Sequence, residues 1–279
     1  MPSKIYSTMA GAIVFMSALG AHATTPGDAG KFSLIAGVDY SSGKYGSDTT
    51  TDILSLPVTG VYDIDRWSFK LTVPYINVSG SDAVIPGIGK TKNSNPKGRG
   101  HGHGGVVPPP TLTPSGSASG LGDITASAGY LLATNADRSF GVDLTGKVKF
   151  GTADADKGLG TGKNDYGLSV DAFKSFGEWT LSGGVGWMKY TSSKFIQLKG
   201  GFDSNLGAEY KLNPSNNIGA SYYYRQKITT GPEGAPKSEL TGYWNHQLND
   251  TWHLQTYVLG GLANGSPDYG VGAAVRYGF

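Results

Sequence analysis

His101 and His103 stand two residues apart in a glycine-rich, basic run at 95–105. Of all the side chains here, this pair comes nearest to a divalent-metal site. A specific site needs a third ligand, and none lies close by in sequence, so the two are weak candidates and no resident metal is expected. Cysteine is absent, which excludes thiolate metal centres, disulfides and a cysteine nucleophile. The glycines of 98–105 are not a phosphate cradle. No buried strand precedes them, no helix follows, and no Gly-Lys-Ser/Thr is present. His246 and His253 could move protons, but no serine and carboxylate are spaced to complete a nucleophilic relay. No catalytic residue is assigned, no enzyme is expected and no cofactor is implied.

The charged residues are more informative, because they recur at every second position. Asp143, Lys147 and Lys149 share a face with Gly141 and Thr145, while Phe140, Val142, Leu144, Val148 and Phe150 share the other. The same alternation begins at Trp67, Trp179 and Trp252. A period of two with one apolar face is a β-strand. Twelve such segments are expected, at 31–42, 49–62, 66–79, 120–132, 139–151, 164–176, 178–190, 199–212, 217–228, 237–248, 251–262 and 268–279. The connections alternate between tight turns and longer loops, the longest being 80–119.

Composition agrees with this pattern. Only 16% of residues are charged, against about 25% in an ordinary soluble domain. Glycine numbers 44, tyrosine 16, and the net charge is +2 over 279 residues. Near-neutral charge argues against a nucleic-acid partner. No mature stretch is apolar for the length of a spanning helix. Residues 1–23 start with Lys4, pass through an apolar run at 13–19 and end in Ala21-His22-Ala23, the form of a secretory signal, leaving 24–279 as the mature chain. An even number of strands with short turns on one side and long loops on the other predicts an all-β, twelve-stranded, antiparallel up-and-down barrel in the bacterial outer membrane.

In such a barrel the apolar face meets lipid and the other face becomes the lumen. Trp67, Trp179 and Trp252 each follow a short turn, so they are expected at one height as an aromatic girdle. The lumen is then lined by Asp39, Lys70, Asp123, Asp143, Lys147, Asp171, Arg225, Glu239 and Arg276, residues placed to govern selectivity. Asp123 is expected to pair with a cation such as Arg225. Pro57 and Pro74 fall within neighbouring strands, where a missing N–H breaks a ladder, and a bulge or break is expected where those two strands pair. Lys90, Lys92, Lys97 and Arg99 of the long extracellular loop are candidates to touch lipopolysaccharide. The chain stops at Phe279, with Tyr277 two places before it, like the terminal signal that barrel-assembly machinery reads.

The strand 71–80, with Val73-Pro74-Tyr75, and the segment 119–130, opening Gly120-Leu121-Gly122-Asp123, resemble the outer-membrane transporter family named for the meta-cleavage pathway of phenol degradation. The resemblance implies a twelve-stranded barrel passing small aromatic or hydrophobic compounds. The expected function is therefore a passive channel for small solutes. The alternative is a structural or surface-interaction barrel acting through the 80–119 loop.

Overall fold

The computed structural model describes residues 30–99 and 115–279. The leader expected at 1–23 and the His101–His103 pair lie outside the described residues. The strands are β1 (Lys31–Gly43), β2 (Thr51–Ile64), β3 (Trp67–Ser81), β4 (Val84–Ile85), β5 (Gly89–Lys90), β6 (Ser115–Leu121), β7 (Thr125–Thr134), β8 (Phe140–Lys149), β9 (Asp165–Phe176), β10 (Trp179–Lys189), β11 (Gly201–Asn213), β12 (Asn216–Arg225), β13 (Lys237–Gln247), β14 (Trp252–Gly261) and β15 (Tyr269–Gly278). β4 and β5 form a small hairpin of their own. β6 and β7 pair in turn with the upper and lower parts of β3, so they are two halves of one wall strand. The wall therefore has twelve strands, all antiparallel, and β1 closes it by pairing with both β2 and β15. A sheet in hydrocarbon must close in this way, because lipid cannot satisfy a free edge.

The short turns sit one residue later than the sequence suggests in one case. β2 and β3 meet through Ile64 and Trp67, so the turn is Asp65-Arg66, with Asp65 at φ 50°. Asp63 becomes a strand residue and is buried. β9 and β10 turn through Gly177-Glu178, where Gly177 at φ 58° takes the left-handed conformation that a side chain resists.

Leucine, valine and aromatic side chains stand exposed on the outside of every wall strand. The expected girdle is present, and each member has a partner. Trp67 tilts against Tyr130, Trp179 against Tyr210 and Trp252 against Tyr277, with centroids 4.7, 4.9 and 4.8 Å apart. Each pair is directly cross-strand, where aromatic contacts stabilise a sheet by about 0.2–1 kcal/mol. In a variant with Trp187 and Trp244 changed to Phe, the remaining fluorescence should be quenched most by lipids brominated near the headgroup. Stronger quenching by bromine at the chain ends would move these rings off the interface.

Toward the long-loop end the two faces exchange character. Tyr75 and Leu121 are the last apolar residues on the outside of β3 and β6. Beyond them the outside carries Asn77, Ser79, Ser117 and Ser119, and Ser117 Oγ donates to Ser79 Oγ at 2.9 Å. The inside here carries Ile76 and Val78, packed with Tyr45, Ile53, Val84, Ala153 and Leu159. Water outside and a core inside reverse the rule that holds in lipid, so the exchange marks where the membrane ends.

The two prolines face one another, Pro57 against Pro74, yet the β2–β3 ladder runs through them without a register shift. The break expected between these strands is absent. The interruptions fall on the far side of each proline. The β1–β2 pairing skips Gly37 and Val38, and β3 leaves β7 after Thr72 and resumes with β6 at Tyr75. In an antiparallel ladder each N–H points to one neighbour only, and residues opposite each other alternate between bonded and non-bonded pairs. The missing N–H groups of this pair belong to the outer neighbours. Gly122 fits the gap beside β3, donating its N–H to the Pro74 carbonyl at 2.8 Å.

Candidate functional site

Of the nine charged residues expected in the lumen, Asp39, Asp143, Asp171, Arg225, Glu239 and Arg276 are buried and Lys70, Asp123 and Lys147 half-buried, and they do not converge on one point. The strands also bury charges that the periodicity could have revealed. Asp203 has the parity of Glu209, Lys237 that of Glu239, and Asp165 that of Asp171. Asp63 was hidden by the misplaced turn. In all, the wall strands bury the carboxylates of Asp39, Asp63, Asp143, Asp165, Asp171, Asp203, Glu209 and Glu239, but only the cations Arg225, Lys237 and Arg276. Lys70, Lys147 and Lys149 are partly buried and also face inward.

Near the short turns, Arg276 Nη2 donates to Ser33 Oγ at 2.9 Å and lies 3.8 Å from Asp63. Lys70 is in the field of Asp63, Asp143 and Asp171. Other inward carboxylates take bonds from uncharged donors. Tyr257 donates to Asp39 Oδ1 at 2.6 Å, Asn217 and Asn245 donate to Glu209 at 3.1 and 3.0 Å, and Asn205 and Ser169 donate to Asp171 at 3.1 and 3.0 Å. Glycine permits these reaches. A Cβ on Gly272 would meet the Tyr257 ring at 2.4 Å, and one on Gly219 would meet the Tyr243 ring at 2.3 Å. Tyr243 and Tyr257 are cross-strand neighbours, and each lies across a glycine on its far side.

Toward the long-loop end, Lys149 Nζ sits between Asp123 at 2.6 Å and Asp165 at 3.0 Å. Lys237 pairs with Glu239 at 2.9 Å. Asp123 thus takes Lys149, not Arg225, as its partner. Its other oxygen accepts the Ala153 N–H at 3.0 Å, so it ties the 150–164 loop to the wall. Arg225 instead reaches across the mouth. Its Nη1 donates to the Gly87 carbonyl at 2.8 Å and its Nη2 to that of Ile88 at 2.6 Å.

Those carbonyls belong to the β4–β5 hairpin, which lies over the mouth. Ile85 and Ile88 are buried against Tyr190, Ile196, Leu198 and Ile228. Arg99 holds the hairpin's base by donating to the carbonyls of Gly158, Ser81 and Val84 at 2.6, 2.7 and 2.7 Å. Burial pulls its guanidinium down to about 10, against the opposing pull of Asp82, so it is a cation at neutral pH. Arg99 is buried and is not available to lipopolysaccharide. Lys90 donates to the Gly46 carbonyl at 2.7 Å, and Lys97 pairs with Asp156 at 3.3 Å on the surface. Beneath the hairpin is a cavity of about 30 Å³, bordered by Asp39, Ser55, Ile85, Arg225, Glu239 and Tyr257 among others.

A closed ring of twelve strands, apolar and girdled by aromatics outside and charged inside, is a bacterial outer-membrane β-barrel. The chain belongs to the family described as "Putative MetA-pathway of phenol degradation", whose model matches residues 23–279. A comparison with curated proteins finds no match. Among solved structures, the chain is similar to an outer membrane channel from Pseudomonas putida F1. The TM-score is 0.64 at 16% identity, over 92% of this chain and 100% of that one. This likeness is one of fold, the fold of outer-membrane channels. Two others are the KdgM porin (TM-score 0.48, 12% identity, 88% and 99% covered) and the CymD monoaromatic hydrocarbon channel (0.46, 9%, 100% and 94%).

Proposed function

We propose that this protein is a passive outer-membrane channel for small solutes, and that small aromatic or hydrophobic compounds are among them. One observation carries the reading. The closed wall encloses a polar, charged interior, and a hairpin held by Arg225 spans its long-loop mouth. A barrel serving only as a wall or anchor has no need of a lining that buries eight carboxylates, since each buried charge costs stability unless well paired. Membership of a family described by phenol degradation supports the aromatic part. The nine inward charges from Asp39 to Arg276 are proposed to set which solutes pass.

Liposome swelling tests the reading. Vesicles carrying the refolded protein should swell in small aromatics, and more slowly in sugars of greater size. Swelling no faster than protein-free vesicles in every solute would remove the channel proposal, and selective entry of sugars alone would remove its aromatic half.

Assembly is proposed to depend on Phe279, which is exposed and packs against Phe32 and Tyr277 at 5.3 and 4.8 Å. Phe279→Ala should lower the amount of folded barrel in cell envelopes several-fold, read as the heat-modifiable band on gels. An unchanged band would show that assembly machinery does not need this residue.

A further inference from the structure

The two ends of β10 lie at the two edges of the membrane. β10 runs 11 residues from Trp179 to Lys189. Trp179 belongs to the aromatic girdle beside the short turns. At ~3.3 Å per residue and a tilt of ~40°, the climb to Lys189 is about 25 Å, the height of the apolar band of such a barrel. Lys189 has the parity of Val185 and Trp187, both exposed on the outside, so it leaves the wall on the lipid-facing side. It stands where hydrocarbon gives way to headgroups at the long-loop, extracellular end.

Two further lysines gather there. Trp187 and Phe202 are cross-strand neighbours and the last apolar side chains on the outside of β10 and β11. A Cβ on Gly200 would meet the Trp187 ring at 2.7 Å, so the ring lies against the backbone next to Lys199. On the other flank Lys189 is opposite Tyr166 of β9, and Thr191 Oγ1 donates to the Asn164 carbonyl at 2.5 Å, which holds the backbone next to Lys163 against the end of β10. Lys163, Lys189 and Lys199 are exposed, and none of their ammonium groups has an ion pair or hydrogen bond among the described residues. Lys194, exposed over the Phe195 ring, and half-buried Lys227 add to the same sign.

The carboxylates of these elements are committed elsewhere. Asp165 and Asp203 are buried on the inner side, Asp165 at 3.0 Å from Lys149 and Asp203 cross-strand from Arg225. Asp154 and Asp156 of the 150–164 loop pair with Lys157 and Lys97. Glu233 is exposed in the next loop, beyond Lys227. Lysines at the edge of hydrocarbon extend their ammonium groups to the interface, and a cluster of them attracts anionic headgroups.

We propose that Lys163, Lys189 and Lys199, above Trp187 and Phe202, form a docking surface for the phosphates of lipid A, the anchor of the lipopolysaccharide in the outer leaflet. The ammonium groups meet the phosphates, and the rings below them meet the acyl chains. Of the loop cations expected in this role, Lys90, Lys97 and Arg99 have partners within the protein. The surface does not rest on the channel reading, since it lies on the outside of the wall.

Native mass spectrometry of the full, folded barrel with added bisphosphorylated lipid A tests it. The wild type should retain the lipid. Lys163→Gln, Lys189→Gln and Lys199→Gln should each weaken retention about fivefold, the effect of one cation near an anionic surface, and the triple variant about a hundredfold. Lys174→Gln, an exposed lysine on the outer face at the short-turn end, should leave it unchanged. Lipid A stripped of both phosphates should bind the wild type as weakly as the intact lipid binds the triple variant. The single variants change exposed side chains without protein partners, so they carry the test if the triple variant fails to give a heat-modifiable band. A wild type that holds no lipid A, single variants that hold it as the wild type does, an equal loss in Lys174→Gln, or equal retention of the dephosphorylated lipid overturns the proposal.

Discussion

Arg225→Met should raise the frequency of open events in single-channel recordings about a hundredfold. Arg225 is 1% exposed and makes two charge-assisted bonds to adjacent carbonyls of the β4–β5 hairpin. Bonds from a charged group contribute about 1.5–3 kcal/mol each, so losing both removes at least ~3 kcal/mol from the closed arrangement. That corresponds to about two powers of ten in the closed-to-open ratio. Methionine retains the aliphatic bulk, so the wall should still fold. Removing 84–90 provides the limiting case. Thr91 N already donates to the Ala83 carbonyl at 2.8 Å, so the cut ends stand beside each other and a short glycine link can rejoin them. This deletion should give the largest conductance of all. Wild-type traces from both variants would mean that the hairpin does not obstruct the path.

Lys149→Met is expected to be the most damaging single substitution to stability. Lys149 Nζ is held by two carboxylates at 2.6 and 3.0 Å, and the Asp165 side chain is fully buried. Removing the shared cation leaves uncompensated charge, which costs about 3–5 kcal/mol at buried pairs. The loss should spread to the loops. Asp123 Oδ1 accepts from Ala153 N at 3.0 Å and Asp165 Oδ1 from Thr191 N at 2.7 Å, so both loops hang from this cluster. The folded band should disappear at a lower heating temperature, and the urea midpoint should fall. Adding Asp165→Asn to Lys149→Met should restore much of the loss, because the stranded charge goes with it. A single variant as heat-resistant as the parent would show that the cluster contributes nothing.

These expectations rest on features that were unequally legible in the sequence. The wall was readable strand by strand, and β8 shows why. From Phe140 to Lys149 apolar positions alternate with polar or small ones, broken only by Gly146 on the apolar face, as a strand between lipid and a polar bore requires. The girdle was legible because Trp67, Trp179 and Trp252 each follow a short turn, and turn positions fix height. Arg225 was expected inward and is inward. Its partners were not foreseeable, since Gly87 and Ile88 lie more than a hundred residues away in sequence and offer only backbone carbonyls. The Asp123–Lys149 pair was missed for a related reason. Parity says that both face the bore, but not which of several cations lies nearest.

Residue order alone thus determined that this chain closes into a twelve-stranded barrel and which face of each strand meets lipid. Those properties follow from a side-chain period of two and a solvent that tolerates no unpaired backbone. Only the tertiary structure decided that the β4–β5 hairpin folds over the mouth and that Arg225 holds it there. It also decided that the ladder breaks lie outside the Pro57–Pro74 pair, and that Asp39 and Ser55 border one cavity beneath that hairpin. Each of these depends on distances between strands and loops far apart in the chain. Local periodicity carries no information about such distances until the ring has closed and brought them together.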